Sequence, residues 1–321
     1  MTASLIMPET ILICFPVPSE SVDVAVREFP QFDWRQGAPN DAAAVSAASI
    51  IFGKPDIKLL KNAPLLKWVQ NPSAGVEAWA SSEAFQHGSF QLTTAAGMHE
   101  GCAQHALALL LAISRKIHFY DKTLVPGAWN SPHKADKPWS LSGQTMGVLG
   151  LGALGKRVCE MARAFGMKTI GVNYSGKAVS EADETHTIST LDSILPRCDV
   201  LTLVLPATRE TDDLMNTRRL ALLPKHAVLI NIGRGNAIDE SALIDALKSG
   251  QLAAAGLDVF KQEPLPADSE FYTLPNVVVT PHLGGDQPNY EARAFDLFIE
   301  NLRRFVRGER LQNCVEKSRG Y

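Results

Sequence analysis

Cysteine is scarce in this chain and the little there is lies scattered. The five residues, Cys14, Cys102, Cys159, Cys198 and Cys314, form no C-x-x-C pair, so neither a disulfide framework nor a zinc site organises the fold. They read as buried apolar thiols in a reducing compartment. Charge of one sign never accumulates. The formal net charge is -3 with no long acidic or basic run, which removes the usual reason to expect nucleic acid or a membrane surface as a partner. Long apolar runs are absent as well. The most apolar helical stretch, Ala103 to Ile113, is too short to span a bilayer and contains His105. The apolar stretch at the N-terminus has no basic residues before it and is interrupted by Glu9, so no signal peptide is expected and the protein is expected in the cytoplasm. Internal repeats and low-complexity segments are also missing.

What remains is ordinary globular composition, 45% hydrophobic and 20% charged over 321 residues. That length exceeds one ordinary core and predicts two domains. Strands are predicted at Thr10 to Phe15, in the ASIIF that ends at Phe52, at Leu66 to Gln70 and at Phe90 to Thr94, with helical patterns between them. Glu100 to Lys116 reads as one long helix, followed by an irregular loop, Pro126 to Pro138. A second alternating series has strands at Thr145 to Leu149, Lys168 to Val172, Val200 to Val204, Ala227 to Ile230, Ala253 to Leu257 and Val277 to Thr280. Strands alternating with helices imply an α/β fold with parallel sheets covered on both faces. A last helix, Tyr290 to Arg307, has no strand partner in the second series and is expected to return to the first. The division is therefore 1–98 plus 288–321 for a discontinuous substrate domain and 99–287 for a dinucleotide-binding domain.

Gly150-Leu151-Gly152-Ala153-Leu154-Gly155 is a G-x-G-x-x-G between the strand TMGVL and a helix predicted from Lys156 to Phe165. The flanking strand and helix give this short pattern its force. Gly150 permits the tight turn, Gly152 lets the backbone approach a pyrophosphate, and Gly155 lets the helix pack closely on the sheet. The amides at the helix start, those of Ala153 and Leu154 among them, then face the phosphates.

Three later segments each follow a predicted strand: NIGRG with Arg234, GLDVF with Asp258 followed by Glu263-Pro264, and TPHLGG with His282. Ligands of open α/β sheets bind beyond the carboxyl ends of the strands, so these side chains converge on one crevice. Reversible reduction of a 2-oxoacid needs such a set. A cation holds the carboxylate or polarises the carbonyl. A histidine supplies a proton to oxygen as hydride reaches carbon. A carboxylate behind the histidine favours a protonated ring and orients it.

With these residues in place, the chain resembles the D-isomer-specific 2-hydroxyacid dehydrogenases, and the glyoxylate/hydroxypyruvate reductases among them, over nearly its whole length. The matching pieces are SAGVE at Ser73 to Glu77, GVLGLGALG, LPATRET, INIGRG, GLDVF with QEP, TPHLGG and the terminal Arg319-Gly320-Tyr321. The resemblance implies two Rossmann-like domains with the active site in the cleft between them, and a homodimer. It makes Arg234 the substrate-binding arginine, His282 the acid/base and Glu263 its partner. The amides of Ser73, Ala74 and Gly75 would receive the substrate carboxylate. Asp258 would bind the carboxamide side of the nicotinamide, and Pro206, Ile232, Gly233 and Gly284 would complete the cofactor contacts beside Arg234 and His282. No metal is implied.

For the cofactor, the residue after the second strand matters. NAD-specific domains place an acid there on the ribose hydroxyls, whereas this chain has Asn173, followed by Tyr174-Ser175-Gly176-Lys177. The turn is similar to the Asn-Arg-Ser of NADP-using relatives, with Tyr174 in place of their arginine, and Ser175 and Lys177 left to meet a 2′-phosphate. NADP(H) is therefore the expected cofactor, with NAD(H) as second candidate. A glutamine stands at the Glu263 position in formate dehydrogenases, and many phosphoglycerate dehydrogenases carry an added C-terminal domain that is not seen in this sequence, so neither branch is expected. The alternative from another class is a nicotinamide-sensing corepressor of the same fold. His99 is a candidate for touching substrate, and Trp129 and Trp139 for closing a partner's cleft or for dimer packing. Arg115 is read as a helix cap or domain-interface residue. His87, His105, His118, His133, His186 and His226 are read as structural or solvated.

Overall fold

The computed structural model describes residues 8–98, 100–124, 126 and 137–317. His99, Trp129, His133 and Arg319-Gly320-Tyr321, singled out above, lie outside the described residues, as does most of the loop expected between Pro126 and Pro138. The chain forms two compact units, residues 1–98 with 287–321, and residues 99–286.

In the first unit five strands, β1 (Thr10–Cys14), β2 (Asp33–Gln36), β3 (Ile50–Gly53), β4 (Trp68–Gln70) and β5 (Gln91–Thr93), make a sheet in the order β2-β1-β3-β4-β5. All neighbouring pairs are parallel. The apolar run of β1 is buried throughout, as a parallel strand covered on both faces requires. The Tyr290–Val306 helix buries Ala294, Phe295, Phe298, Ile299 and Leu302, a stripe at intervals of three and four residues. That stripe meets the sheet through aromatic rings: Phe298 stacks on Trp68 at 5.1 Å and lies 5.1 Å from Phe52. One polar residue enters this contact. Buried Asn301 donates to Gln70 Oε1 at 3.0 Å and accepts from the Gln312 amide at 2.8 Å, which fixes where along the sheet the helix sits.

The second unit holds β6 (Thr145–Leu149), β7 (Lys168–Asn173), β8 (Glu184–Thr187), β9 (Val200–Leu203), β10 (Val228–Asn231), β11 (Ala254–Leu257) and β12 (Val277–Val279). Their order is β12-β11-β10-β9-β6-β7-β8, again all parallel. The order reverses at β6, so the glycine-rich turn that follows β6 stands at a topological switch point.

Three expectations differ from the structure. The long helix ends at Ser114; Lys116 adopts a left-handed φ of 62° and a second short helix runs Ile117–Thr123. The helix after the glycine-rich turn begins at Ala153, inside the motif. Strands β2 (DWRQ) and β8 (ETHT) were not expected from the sequence; each is polar and lies at a sheet edge, where one flank faces no neighbouring strand and an apolar run is not required. Trp139 packs on the core of its own unit, and its carbonyl accepts from Arg115 at 3.3 Å. No helix among the described residues is long and apolar enough to cross a membrane.

Candidate active site

The site-forming residues of the second unit stand where parallel strands end. After β6, Gly150 turns the chain with φ 101°. A Cβ on Gly155 would lie 1.8 Å from the Gly150 carbonyl oxygen, so the first helical turn can close over the loop only if residue 155 is glycine. Gly152 is different. Nothing lies within 4 Å of where its Cβ would be, and as N-cap of the Ala153–Ala164 helix it supplies no side-chain cap. The helix therefore starts with orphan amides and open space above them, which is what a pyrophosphate fills. The residues present fit a dinucleotide.

At the end of β7 the side chain of Asn173 is occupied by its own turn. Its Nδ2 donates to the Lys177 carbonyl at 2.9 Å, and its Oδ1 accepts from the Gly176 amide at 2.6 Å and from Ser175 Oγ at 3.3 Å. Asn173 shapes this turn, and Tyr174, 81% exposed, projects from it. Ser175 and Lys177 are also exposed. Pro206, beyond β9, is half-buried, and its carbonyl accepts from Thr211 Oγ1 at 2.8 Å.

The next three strands, β10, β11 and β12, are adjacent, and each carries one part of the predicted constellation. At the end of β10, buried Asn231 grips the loop it precedes: its Oδ1 accepts from the Gly233 amide at 3.1 Å and its Nδ2 donates to the Arg234 carbonyl at 3.0 Å. Ile232 and Gly233 are buried, and half-buried Arg234 directs Nη1 to the Gly233 carbonyl at 2.8 Å. Beyond β11, Glu263 uses both carboxylate oxygens. Oε1 accepts from the Phe260 amide at 2.9 Å and Oε2 meets His282 Nδ1 at 2.6 Å. A carboxylate only accepts, so Nδ1 carries the hydrogen of that bond. The ring's other nitrogen, Nε2, meets no hydrogen-bond partner among the described residues, and the His282 side chain is 49% exposed. Orientation is thus fixed at one nitrogen while the other is free to exchange a proton.

His282 itself has φ 54°, the left-handed region that a non-glycine residue enters only under constraint. The constraint is Asp258, the first residue after β11. The Asp258 carbonyl accepts from the His282 amide at 2.9 Å. Its Oδ1 accepts from Thr280 Oγ1 at 2.6 Å and the Leu283 amide at 3.0 Å, and its Oδ2 from the Gly284 amide at 3.0 Å. Burial raises the Asp258 carboxyl, but the bonds from His105, Thr280, Gly284 and Leu283 outweigh it and bring the pKa down to about 2. Asp258 and Gly284, both expected at the cofactor, are buried and turned toward each other. Their visible task is to hold the His282 turn.

In the first unit, Ser73 to Gly75 are held from their carbonyl side. Asn71, at the end of β4 and buried, donates to the Ser73 and Gly75 carbonyls at 3.1 and 2.8 Å. The amides of Ser73, Ala74 and Gly75 make no hydrogen bond with described residues. Sequence reading missed Asn71, Asn231, Thr280 and His105. The first two carry a faint signal, an asparagine ending an apolar strand just before a glycine-containing loop; the others carry none. No group of metal-binding side chains occurs among the described residues.

Comparison with known proteins gives a consistent set of likenesses. Residues 107–284 match the family model described as D-isomer specific 2-hydroxyacid dehydrogenase, NAD binding domain. The chain is 32% identical to the glyoxylate reductase of Pyrococcus furiosus over 97% of this chain and 96% of that one. It is 36% identical to the glyoxylate reductase of Pyrococcus horikoshii over 79% and 77%. Among solved structures, an NADPH-dependent glyoxylate/hydroxypyruvate reductase from Sinorhizobium meliloti, in complex with NADP and sulfate, superposes with a TM-score of 0.83 at 27% identity, covering 98% and 100% of the two chains. A D-isomer specific 2-hydroxyacid dehydrogenase from Xanthobacter autotrophicus, in complex with NADPH and MES, gives 0.82 at 30% identity, covering 98% and 100%.

Proposed function

Because this chain belongs to the D-isomer-specific 2-hydroxyacid dehydrogenase family, it is an NAD(P)-dependent oxidoreductase, and we propose that it reduces a small 2-oxoacid such as glyoxylate or hydroxypyruvate, with NADPH as preferred donor. The observation that carries the reading is the His282–Glu263 pair, 2.6 Å apart through Nδ1, with no partner for Nε2 of the same ring among the described residues. When bound, the reduced nicotinamide supplies a hydride to the carbonyl carbon. His282 gives its Nε2 proton to the carbonyl oxygen, and Glu263 holds the ring in place throughout. Arg234 balances the negative charge of the substrate through its guanidinium. The amides of Ser73, Ala74 and Gly75, which have no partner among the described residues, are the proposed cradle for the substrate carboxylate. In the oxidation direction Nε2 accepts the hydroxyl proton.

Ser175, Lys177 and the amides around Tyr174 are the proposed partners of a 2′-phosphate, on a turn that offers no acid to repel it. The five free cysteines fit a reducing, cytoplasmic setting. Ile117 and Leu124, 58% and 47% exposed, fit a surface covered by a second copy; the mass in solution tests that homodimer. For the chemistry, oxidation of NADPH and of NADH is followed with glyoxylate, hydroxypyruvate and phenylpyruvate. His282→Ala should lose about 10²–10⁴-fold in turnover while still binding NADPH. A variant that keeps wild-type turnover on the best substrate would overturn the role of His282.

A further inference from the structure

Beneath the His282 turn lies an ionisable side chain that the reaction as described does not use. His105 projects from the Glu100–Ser114 helix and is 15% exposed. Its Nε2 is 2.8 Å from Thr280 Oγ1 and 3.3 Å from Asp258 Oδ1. The direction of these bonds follows from counting hydrogens. Thr280 has one hydroxyl hydrogen, and it goes to the Asp258 carboxylate at 2.6 Å, which can only accept. The same hydroxyl can then only accept from His105, so Nε2 carries a hydrogen. Donation runs one way, from His105 to Thr280 to Asp258, with His105 also reaching the carboxylate directly.

Asp258 passes this restraint to the turn through the Leu283 and Gly284 amides on its carboxylate and the His282 amide on its carbonyl. The packing leaves no slack. A Cβ on Gly284 would lie 2.9 Å from Asp258 Oδ2 and 3.2 Å from His105 Cδ2, and one on Gly101 would lie 3.3 Å from the Gly284 carbonyl. Helix, carboxylate and turn touch directly. A residue in the left-handed region at His282 persists only where its surroundings over-determine it, and His105 packs against the carboxylate of the residue that does so.

We propose that His105 is a positioning residue for 2-oxoacid reduction: its Nε2–H, through Thr280 and Asp258, fixes the turn that presents His282. The proposal rests on His282 being the proton donor. A histidine that only filled space would affect stability and nothing else; a positioning one would affect turnover at unchanged cofactor affinity.

The test compares His105→Ala, His105→Gln and His282→Ala with the wild type, measuring kcat and KM for glyoxylate with NADPH, the NADPH dissociation constant by fluorescence, and Tm. Displacement of a reacting group by about 1 Å costs about 10²-fold, so His105→Ala should lose up to about that in kcat with NADPH affinity unchanged. His105→Gln keeps an N–H at similar reach and should restore most of the loss. Thr280→Val keeps the shape and removes the linking hydroxyl, so it should lower kcat as His105→Ala does, and it carries the test if the alanine variant does not fold. Unchanged kcat in the folded alanine or valine variant overturns the proposal, and so does equal loss in the alanine and glutamine variants. Undiminished turnover in His282→Ala overturns instead the reading on which it rests.

Discussion

Asp258→Asn removes one charge from the centre of the His282 turn while leaving its shape, and its cost can be worked from the bonds. The carboxylate accepts from Thr280 Oγ1 and the Leu283 amide on one oxygen and from the Gly284 amide on the other. Whichever way an asparagine amide faces, its NH2 group meets a fixed donor. If it faces Gly284, a buried N–H is stranded at about 1–3 kcal/mol, and the bonds from Thr280, Leu283 and His105 to the other oxygen lose charge assistance. A loss of about 3 kcal/mol at neutral pH is expected. The loss has a pH signature. The Asp258 carboxyl is lowered from 3.8 to about 2, so its contribution is complete above the unfolded value and is lost as pH falls through the folded one. At 1.36 kcal/mol per unit the contribution is about 2 kcal/mol, of which about 1 kcal/mol is gone by pH 3. Urea unfolding of both proteins at several pH values is the assay. The stability gap between them should narrow by about 1 kcal/mol between pH 6 and pH 3. A gap that stays constant, or a variant as stable as the wild type at pH 7, would refute the reasoning.

Arg234→Lys keeps the charge and loses the planar fork; if Arg234 binds substrate through both arms, kcat/KM for glyoxylate should fall about 10–100-fold, the worth of one charged hydrogen bond, and an unchanged value would remove Arg234 from the substrate. Asn173→Asp should lower kcat/KM for NADPH about tenfold or more relative to NADH, both by repelling the 2′-phosphate and by setting a carboxylate against the Lys177 carbonyl that Asn173 now donates to. A wild type that prefers NADH, or a variant whose preference does not move, would show that this turn does not select the cofactor.

How much of the fold can be read from the chain depends on what each element buries. Strands β1, β6 and β9 to β11 are covered on both faces, and their apolar runs give them away within a residue or so of their ends. Strands β2 and β8 carry DWRQ and ETHT, and with one free edge each they need no apolar run; they exist because β1 and β7 present a row of backbone groups beside them. The break after Ser114 is equally silent, since the left-handed residue there is Lys116 and not the glycine that would have announced it. By contrast, the Tyr290–Val306 helix returns to the first unit for a visible reason: five apolar residues on one face, two of them phenylalanines, have no strand of their own series to cover.

The same logic divides the site. A doubly covered parallel sheet leaves a polar side chain two places to go, the strand ends and the buried networks behind them. Strand ends are legible, and Arg234, Glu263 and His282 each follow an apolar run closely enough to be found. The networks behind them are not, because their members are joined through the fold and not along the chain: His105 meets Thr280 across 175 residues of sequence, from a helix whose buried residues, Ser114 apart, are apolar. Asn173 shows a subtler limit. Its position at the end of β7 and its lack of charge are plain, yet its amide is spent on Gly176 and Lys177, three and four residues downstream. An uncharged residue there acts by what it builds. The asparagine closes a turn on which Tyr174, Ser175 and Lys177 are exposed, so under the proposed reading a 2′-phosphate would meet those residues, and residue 173 acts through the turn it holds together.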